Sequence, residues 1–145
     1  MMFKIAGCVL VIVSSAVMSS GRVMKYYFTG RMMGEITVVC QRILYEKNTN
    51  LTYCEIFARM DFDPLSFVNR YSKNRYVDDV YKEDIECFLD NLGRRDSDGE
   101  EKYIVSSMKR FEQIRENCRI EYRNICRVYP MIGLSIGMFV VIFLF

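Results

Sequence analysis

DSDGEEKYIVSSMKRFEQIRENCRIEYRNICRVY, residues 96–129, and PMIGLSIGMFVVIFLF, residues 130–145, read together as one long helix that changes solvent partway. The first part is charged and amphipathic. Apolar residues recur at Ile104, Met108, Phe111, Ile114, Cys118, Tyr122, Ile125 and Tyr129. From Phe111 onward they stay within about 40° of one line on a helix surface, the pattern of a seam that faces a packed partner. Arginines follow at 115, 119, 123 and 127, starting near the seam and rotating away from it. The second part carries no charge and is apolar on every face from Gly137 onward. A helix with that character belongs in lipid rather than against a protein core.

Working back from there, Gly93 reads as a helix stop and Asp96 as the next start. Glycine takes the left-handed turn at a helix end at least cost, and aspartate caps a helix N-terminus. Before Gly93, VYKEDIECFLDNL has a seam of Tyr81, Ile85, Phe88, Leu89 and Leu92, with Asp78 and Asp79 at its start. Negative charge is favourable there because of the helix dipole. Asp63-Pro64 is a further start signal, proline being suited to the first helical position. It leads into LSFVNRYSKNRY, with Leu65, Phe67, Val68 and Tyr71 apolar. Leu51–Met60 presents Leu51, Cys54, Ile56 and Phe57 in one arc, with Asn50 as its cap and residues 47–50 as a loop. Residues 31–46 place Met32, Ile36, Val39, Cys40 and Ile43 on one face. No stretch shows sustained period-2 alternation, so no sheet is expected.

The N-terminal end mirrors the C-terminal one. Ile5–Gly21 is uncharged and, as a helix, roughly 25 Å long. Pro130–Phe145 is roughly 24 Å. Both lie at the short end of what crosses a bilayer core of ~30 Å. The first is either an uncleaved anchor or a signal peptide with Lys4 ahead of its apolar run. The second is either a retained membrane helix, a buried terminal helix or a removed lipid-anchor signal. Nineteen of the 20 basic residues and all 18 acidic ones lie between residues 21 and 129. Arg22, Lys25 and Arg31 flank the first apolar run, and Arg110–Tyr129 carries five arginines against three glutamates. With retained anchors, this bias places the middle in the cytoplasm and both termini outside. The domains are then a first membrane helix at 1–24, a helical domain at 25–129 and a second membrane helix at 130–145. The expected fold is all-α, a small bundle of about five to six helices flanked by the two membrane helices.

Composition restricts the chemistry. There is no histidine, which removes the commonest general base and most catalytic zinc sites. No nucleophile–base pair is recognisable, so an enzyme is not expected, and no cofactor or metal is implied. A net charge of +2 gives no nucleic-acid footprint. The six cysteines, at 8, 40, 54, 87, 118 and 126, form no C-x-x-C and mostly fall on apolar faces. That suits buried thiols in a reducing compartment, with structural disulfides as the competing reading. Asp96, Asp98 and Gly99 resemble a calcium loop only superficially, since position twelve is Ser107.

Two constellations stand out. Arg94, Arg95, Asp96, Glu100, Glu101 and Lys102 belong to the densest charge cluster, either a partner-docking surface or a solvated inter-helix turn. Arg115, Arg119, Arg123 and Arg127 form a basic stripe. It either faces anionic lipid or is orientation charge paired as Glu112–Arg115 and Glu116–Arg119. Gly133 and Gly137 add a GxxxG, a weak helix-packing signal on its own.

Four segments carry a resemblance. MMFKIAGCVLVIVSS, QRILYEKNTNL, FLDNLGRRDSDGEEKYI and GLSIGMFVVIFLF together resemble the stage III sporulation protein AB family of endospore-forming Firmicutes. The third maps its aromatic…LG-x-x-D-x-x-x-Q-Q-K-x-I signature onto Phe88, Leu92, Gly93, Asp96, Lys102 and Ile104. Glu100 and Glu101 stand where glutamines are usual, and the proline usual in the turn after QRILY is absent. The resemblance implies a non-enzymatic scaffold in the mother cell's share of a channel complex joining mother cell and forespore. Its soluble part would resemble the helical cytoplasmic domain of type II secretion platform proteins. Implied partners are other proteins of that complex, including a secretion-type ATPase that would meet the Arg94–Lys102 surface, and membrane lipids; a homo-oligomer is allowed. The implied location is the mother-cell membrane around the forespore, two-pass, with the centre cytoplasmic. The competing reading is a secreted or surface-anchored binding domain with disulfides and a cleaved signal peptide.

Overall fold

The computed structural model describes residues 2–47 and 51–144, with part of the side chains in the two apolar ends left out. The described chain is all-helical: α1 Met2–Glu46, α2 Tyr53–Arg59, α3 Pro64–Ser72, α4 Asp79–Asp90 and α5 Ser97–Leu144. At 1.5 Å per residue, α1 is about 68 Å long and α5 about 72 Å. The one long helix expected from residue 96 onward is α5, while the expectation of a separate first helix ending near residue 24 is corrected. The apolar ends are continuous with the helices of the domain, and α5 runs through position 130. No stop signal stands near residue 24, and the helical assignment passes Pro130 although proline supplies no N–H to the carbonyl of Cys126. Among the described residues, no helix is long and apolar enough to cross a membrane. Most side chains of 5–21, that of Cys8 among them, and half or more of those of 130–145 lie outside the described set, as do the surroundings of Gly133 and Gly137.

The seam of α5 packs on α1, and the pair is antiparallel. The Arg22 guanidinium donates to the Tyr129 hydroxyl at 3.1 Å. The rings of Tyr27 and Tyr122 lie 6.4 Å apart. A Cβ on Gly30 would meet the Cβ of Cys118 at 3.5 Å, and one on Gly34 would meet the Arg115 side chain at 3.4 Å. At the far end Lys47 pairs with Glu101 at 3.4 Å. Partners fall in number along α5 as they rise along α1. The two apolar ends therefore lie at one end of the hairpin, and the α4–α5 turn at the other. Gly30 and Gly34, one helical turn apart, mark where α1 faces Cys118 and Arg115 of α5.

The short helices pack across this hairpin. Met33, Ile36, Cys40 and Ile43 of α1 are fully buried, with Ile56 of α2, Phe67 and Tyr71 of α3, Ile85 and Phe88 of α4, and Ile104 and Phe111 of α5. Phe88 meets Phe111 edge to face at 5.4 Å, the geometry that the ring quadrupoles prefer. Seam positions expected on α1, α4 and the first part of α5 are thus the core. Others expected on covered faces are not: Leu65 is 75% exposed, Tyr122 of the α5 seam is exposed, and so are Cys54, Cys87 and Cys126, against the expectation of mostly buried thiols. On helices of nine and seven residues, only one face is covered, and Leu65 and Cys54 point away from it.

Local signals place the short helices. The Asp63 carboxylate accepts from the Leu65 N–H at 3.1 Å, with Pro64 at the first helical position. Asn50 lies outside the described residues. The cap of α2 is Thr52, in a reciprocal capping box with Glu55. That contact holds the Glu55 carboxyl below the usual glutamate range. Gly93 is left-handed, with φ 79°, as its reading as a helix stop requires.

Candidate functional site

The turn between α4 and α5 gathers the charge cluster, and its geometry separates two kinds of residue. Glu100, in the first turn of α5, is buried at 4% exposure. Its carboxylate accepts from the Gly93 N–H at 2.7 Å and from the Tyr53 hydroxyl at 2.9 Å. It clasps α2, the Gly93 turn and α5 together. Burial, and then the adjacent Glu100 carboxylate, push the Tyr53 phenol upward from its ordinary value. Glu100 therefore does not share the exposed surface on which the sequence places it.

The other five face solvent. Arg94, Arg95, Asp96, Glu101 and Lys102 are all exposed. The Arg95 guanidinium lies 3.7 Å from the centroid of the Tyr103 ring and donates to the Asn91 carbonyl. The Asp96 carboxylate folds over the first turn of α5, where a Cβ on Gly99 would come within 2.6 Å of it. The backbone of Glu100 bonds the Asp96 carbonyl at 2.8 Å, which starts the helix. Lys47 donates to the Ser97 carbonyl and pairs with Glu101, tying the end of α1 to the start of α5. Below the cluster an open depression of about 470 Å³ runs along α5, lined by Asp98, Glu101, Lys102, Val105, Ser106 and Lys109. Mixed charge beside a shallow depression suits recognition of a protein surface. Among the described residues no group of carboxylates and thiols could hold a metal ion.

The basic stripe is spread along α5 rather than gathered at one level. Arg115 lies with its guanidinium end over Gly34, about 21 Å from Tyr129 by helical rise. Arg119 faces Glu116 at 3.6 Å. Arg123 and Arg127 are exposed near the apolar end. Glu112–Arg115, the other expected pair, is not among the ion pairs of the described residues. Missed by the sequence reading were Tyr53, Lys47 and the Gly30–Gly34 approach. Two glycines four apart within one helical pattern carried a signal for the last.

Cys40, Cys54, Cys87, Cys118 and Cys126 are free thiols. Burial pushes the Cys40 thiol up to about 12, and Cys118 also upward.

The profile described as Stage III sporulation protein AB matches residues 66–145. The chain belongs to the stage III sporulation protein AB family. The matched part of the family pattern holds most of α3, all of α4, the Gly93 turn, Glu100 and the whole of α5. Membership in the stage III sporulation protein AB family gives the chain a role in sporulation. Searches of curated proteins and of solved structures found no match.

Proposed function

We propose that the chain is a non-enzymatic membrane scaffold of the mother cell–forespore channel complex, required for endospore formation. It crosses the mother-cell membrane twice, through 1–24 and 130–145, and holds the 25–129 domain in the cytoplasm. There it acts as a platform between a secretion-type ATPase and membrane rings. The observation that carries this reading is the antiparallel pairing of α1 and α5. It brings two apolar segments to one end of the molecule and sets the mixed-charge turn at the other.

The docking surface is the exposed cluster of Arg94, Arg95, Asp96, Glu101 and Lys102 with the depression beneath it. Arg123 and Arg127 lie at the level of the headgroups, where a basic residue near an anionic leaflet contributes about 1 kcal/mol. Thiol labelling tests the topology. Cys54 and Cys87 are exposed on the domain. A membrane-impermeant maleimide should reach them only after permeabilisation. Labelling in intact cells would overturn the cytoplasmic placement.

A further inference from the structure

The connection between α3 and α4, residues 73–78, lies at the end of the domain nearest the apolar segments. Its placement is fixed on both sides. Upstream, Arg70 pairs with Glu35 at 3.5 Å, so α3 runs down α1 toward lower numbers. Then Tyr76 stacks on Phe28, ring centroids 6.0 Å apart and nearly coplanar in tilt at 12°. Asp78 pairs with Lys25 at 2.8 Å. Val77 between them is buried. Phe28 is four residues beyond Met24, about 6 Å along the helix axis.

Charge at this connection is unbalanced. Its two neighbouring acids are occupied, Asp78 by Lys25 and Asp79 by Lys82 at 2.9 Å. Lys73 and Arg75 are exposed, and neither is ion-paired with a carboxylate among the described residues. The Arg75 guanidinium donates to the neutral Tyr76 hydroxyl at 2.8 Å and lies 4.9 Å from the centroid of that ring. Through Tyr76 it is held beside Phe28, on the flank of the hairpin. Val80, in the first turn of α4, adds an apolar side chain that is 65% exposed. Two exposed cations without a carboxylate partner, on a connection that packs beside Lys25 and Phe28, suit a negatively charged, planar surface.

We propose that this connection is a lateral membrane contact, in which Lys73 and Arg75 bind the anionic headgroups of a phospholipid bilayer. The domain then rests against the surface at a third point beside α1 and α5, and its rotation about the hairpin axis is restricted. The inference rests on the two-pass reading above, because it takes the bilayer to begin near residue 24.

The test uses the full-length protein reconstituted into vesicles of phosphatidylcholine, or of phosphatidylcholine mixed with phosphatidylglycerol. An amine-acylating reagent is added, and the rate at each lysine is read by mass spectrometry. Lys109, exposed and about 30 Å from Tyr129 along α5, is the internal reference. Relative to Lys109, Lys73 should react roughly fivefold more slowly in the anionic vesicles than in the neutral ones. High salt should remove the difference, because surface attraction is screened. Equal relative rates in both vesicles, with the protein resisting alkaline carbonate extraction, would overturn the contact and leave the two-pass reading standing. Release of the protein by carbonate would overturn both.

Discussion

The Tyr53 hydroxyl donates a 2.9 Å hydrogen bond to the Glu100 carboxylate, joining residues 47 apart in sequence. Glu100 also takes the Gly93 N–H. Hydrogen bonds to a buried charged group are each worth about 1.5–3 kcal/mol, with the larger cost falling on donors left unpaired. Glu100→Ala should therefore destabilise the protein by about 2 kcal/mol, and Tyr53→Phe by about 1.5 kcal/mol. Thermal unfolding measures both. The double variant should lose less than the sum, by at least about 0.5 kcal/mol. Strict additivity would show that the two residues act separately.

Gly93 holds φ 79°, and a Cβ there would lie 3.3 Å from the Tyr53 ring. Gly93→Ala should cost about 1–2 kcal/mol, the ordinary cost of a left-handed non-glycine residue. The Tyr53 ring must also shift by a few tenths of an ångström. The same melting experiment reads it, and no change would mean that the turn relaxes freely.

Alkaline pH should weaken the fold from a defined point. Folded-state values are raised for Cys40 to about 12, for Tyr71 to about 12, and upward for Cys118, Tyr53 and Tyr103, in each case mainly by burial. A raised folded value means that the unfolded chain gives up its proton first. Stability from these groups is therefore complete below the unfolded values, about 8.5 for cysteine and about 10 for tyrosine. It declines as pH rises from there toward the folded values. Denaturation midpoints should be flat in this respect up to about pH 8 and fall steadily above about pH 9. A midpoint that holds through pH 11 would contradict the burial of these side chains.

Thiol chemistry should sort the cysteines. Cys54, Cys87 and Cys126 are exposed, whereas Cys40 and Cys118 are buried and their thiols are held protonated. Because the thiolate is the reactive form, a disulfide reagent at neutral pH should modify the first three quickly. The other two should react at the rate of unfolding. Rapid modification of Cys40 would place it outside the core.

If the proposed docking of a secretion-type ATPase holds, reversing Arg94, Arg95 and Glu101 together should abolish its co-purification while shifting stability by no more than about 1 kcal/mol, because exposed pairs such as Lys47–Glu101 contribute little. Glu100 must be left intact, since its loss disturbs the fold itself. Unchanged recovery of the ATPase would reduce the cluster to a solvated turn.

What was legible in the sequence was what local rules govern. Asp63-Pro64 and Gly93 mark helix ends because their chemistry acts within a few residues. The seam from Ile104 to Cys118 needed only periodicity. Glu100 was not legible in this way. In the string RRDSDGEEK it looks like any solvated acid, and its burial depends on Tyr53, which no local pattern links to it. Leu65 and Cys54 failed for the opposite reason. Each is apolar by composition, but their short helices have one covered face and these residues lie on the other. The length of α1 was hidden by Gly21, Gly30 and Gly34, which weaken a helix taken alone. Both Gly30 and Gly34 nevertheless face α5.

The continuity of α1 and α5 makes each of them a lever. Neither has a joint between its apolar end and the turn that joins α4 to α5. From Ser97 to Tyr129 the arm is about 48 Å. Swinging the far end of such an arm by ~8 Å changes the slant of the apolar ends by about 10°. A partner seated on the α4–α5 turn can therefore set the tilt of the apolar end by mechanical leverage alone, with no change of fold in between.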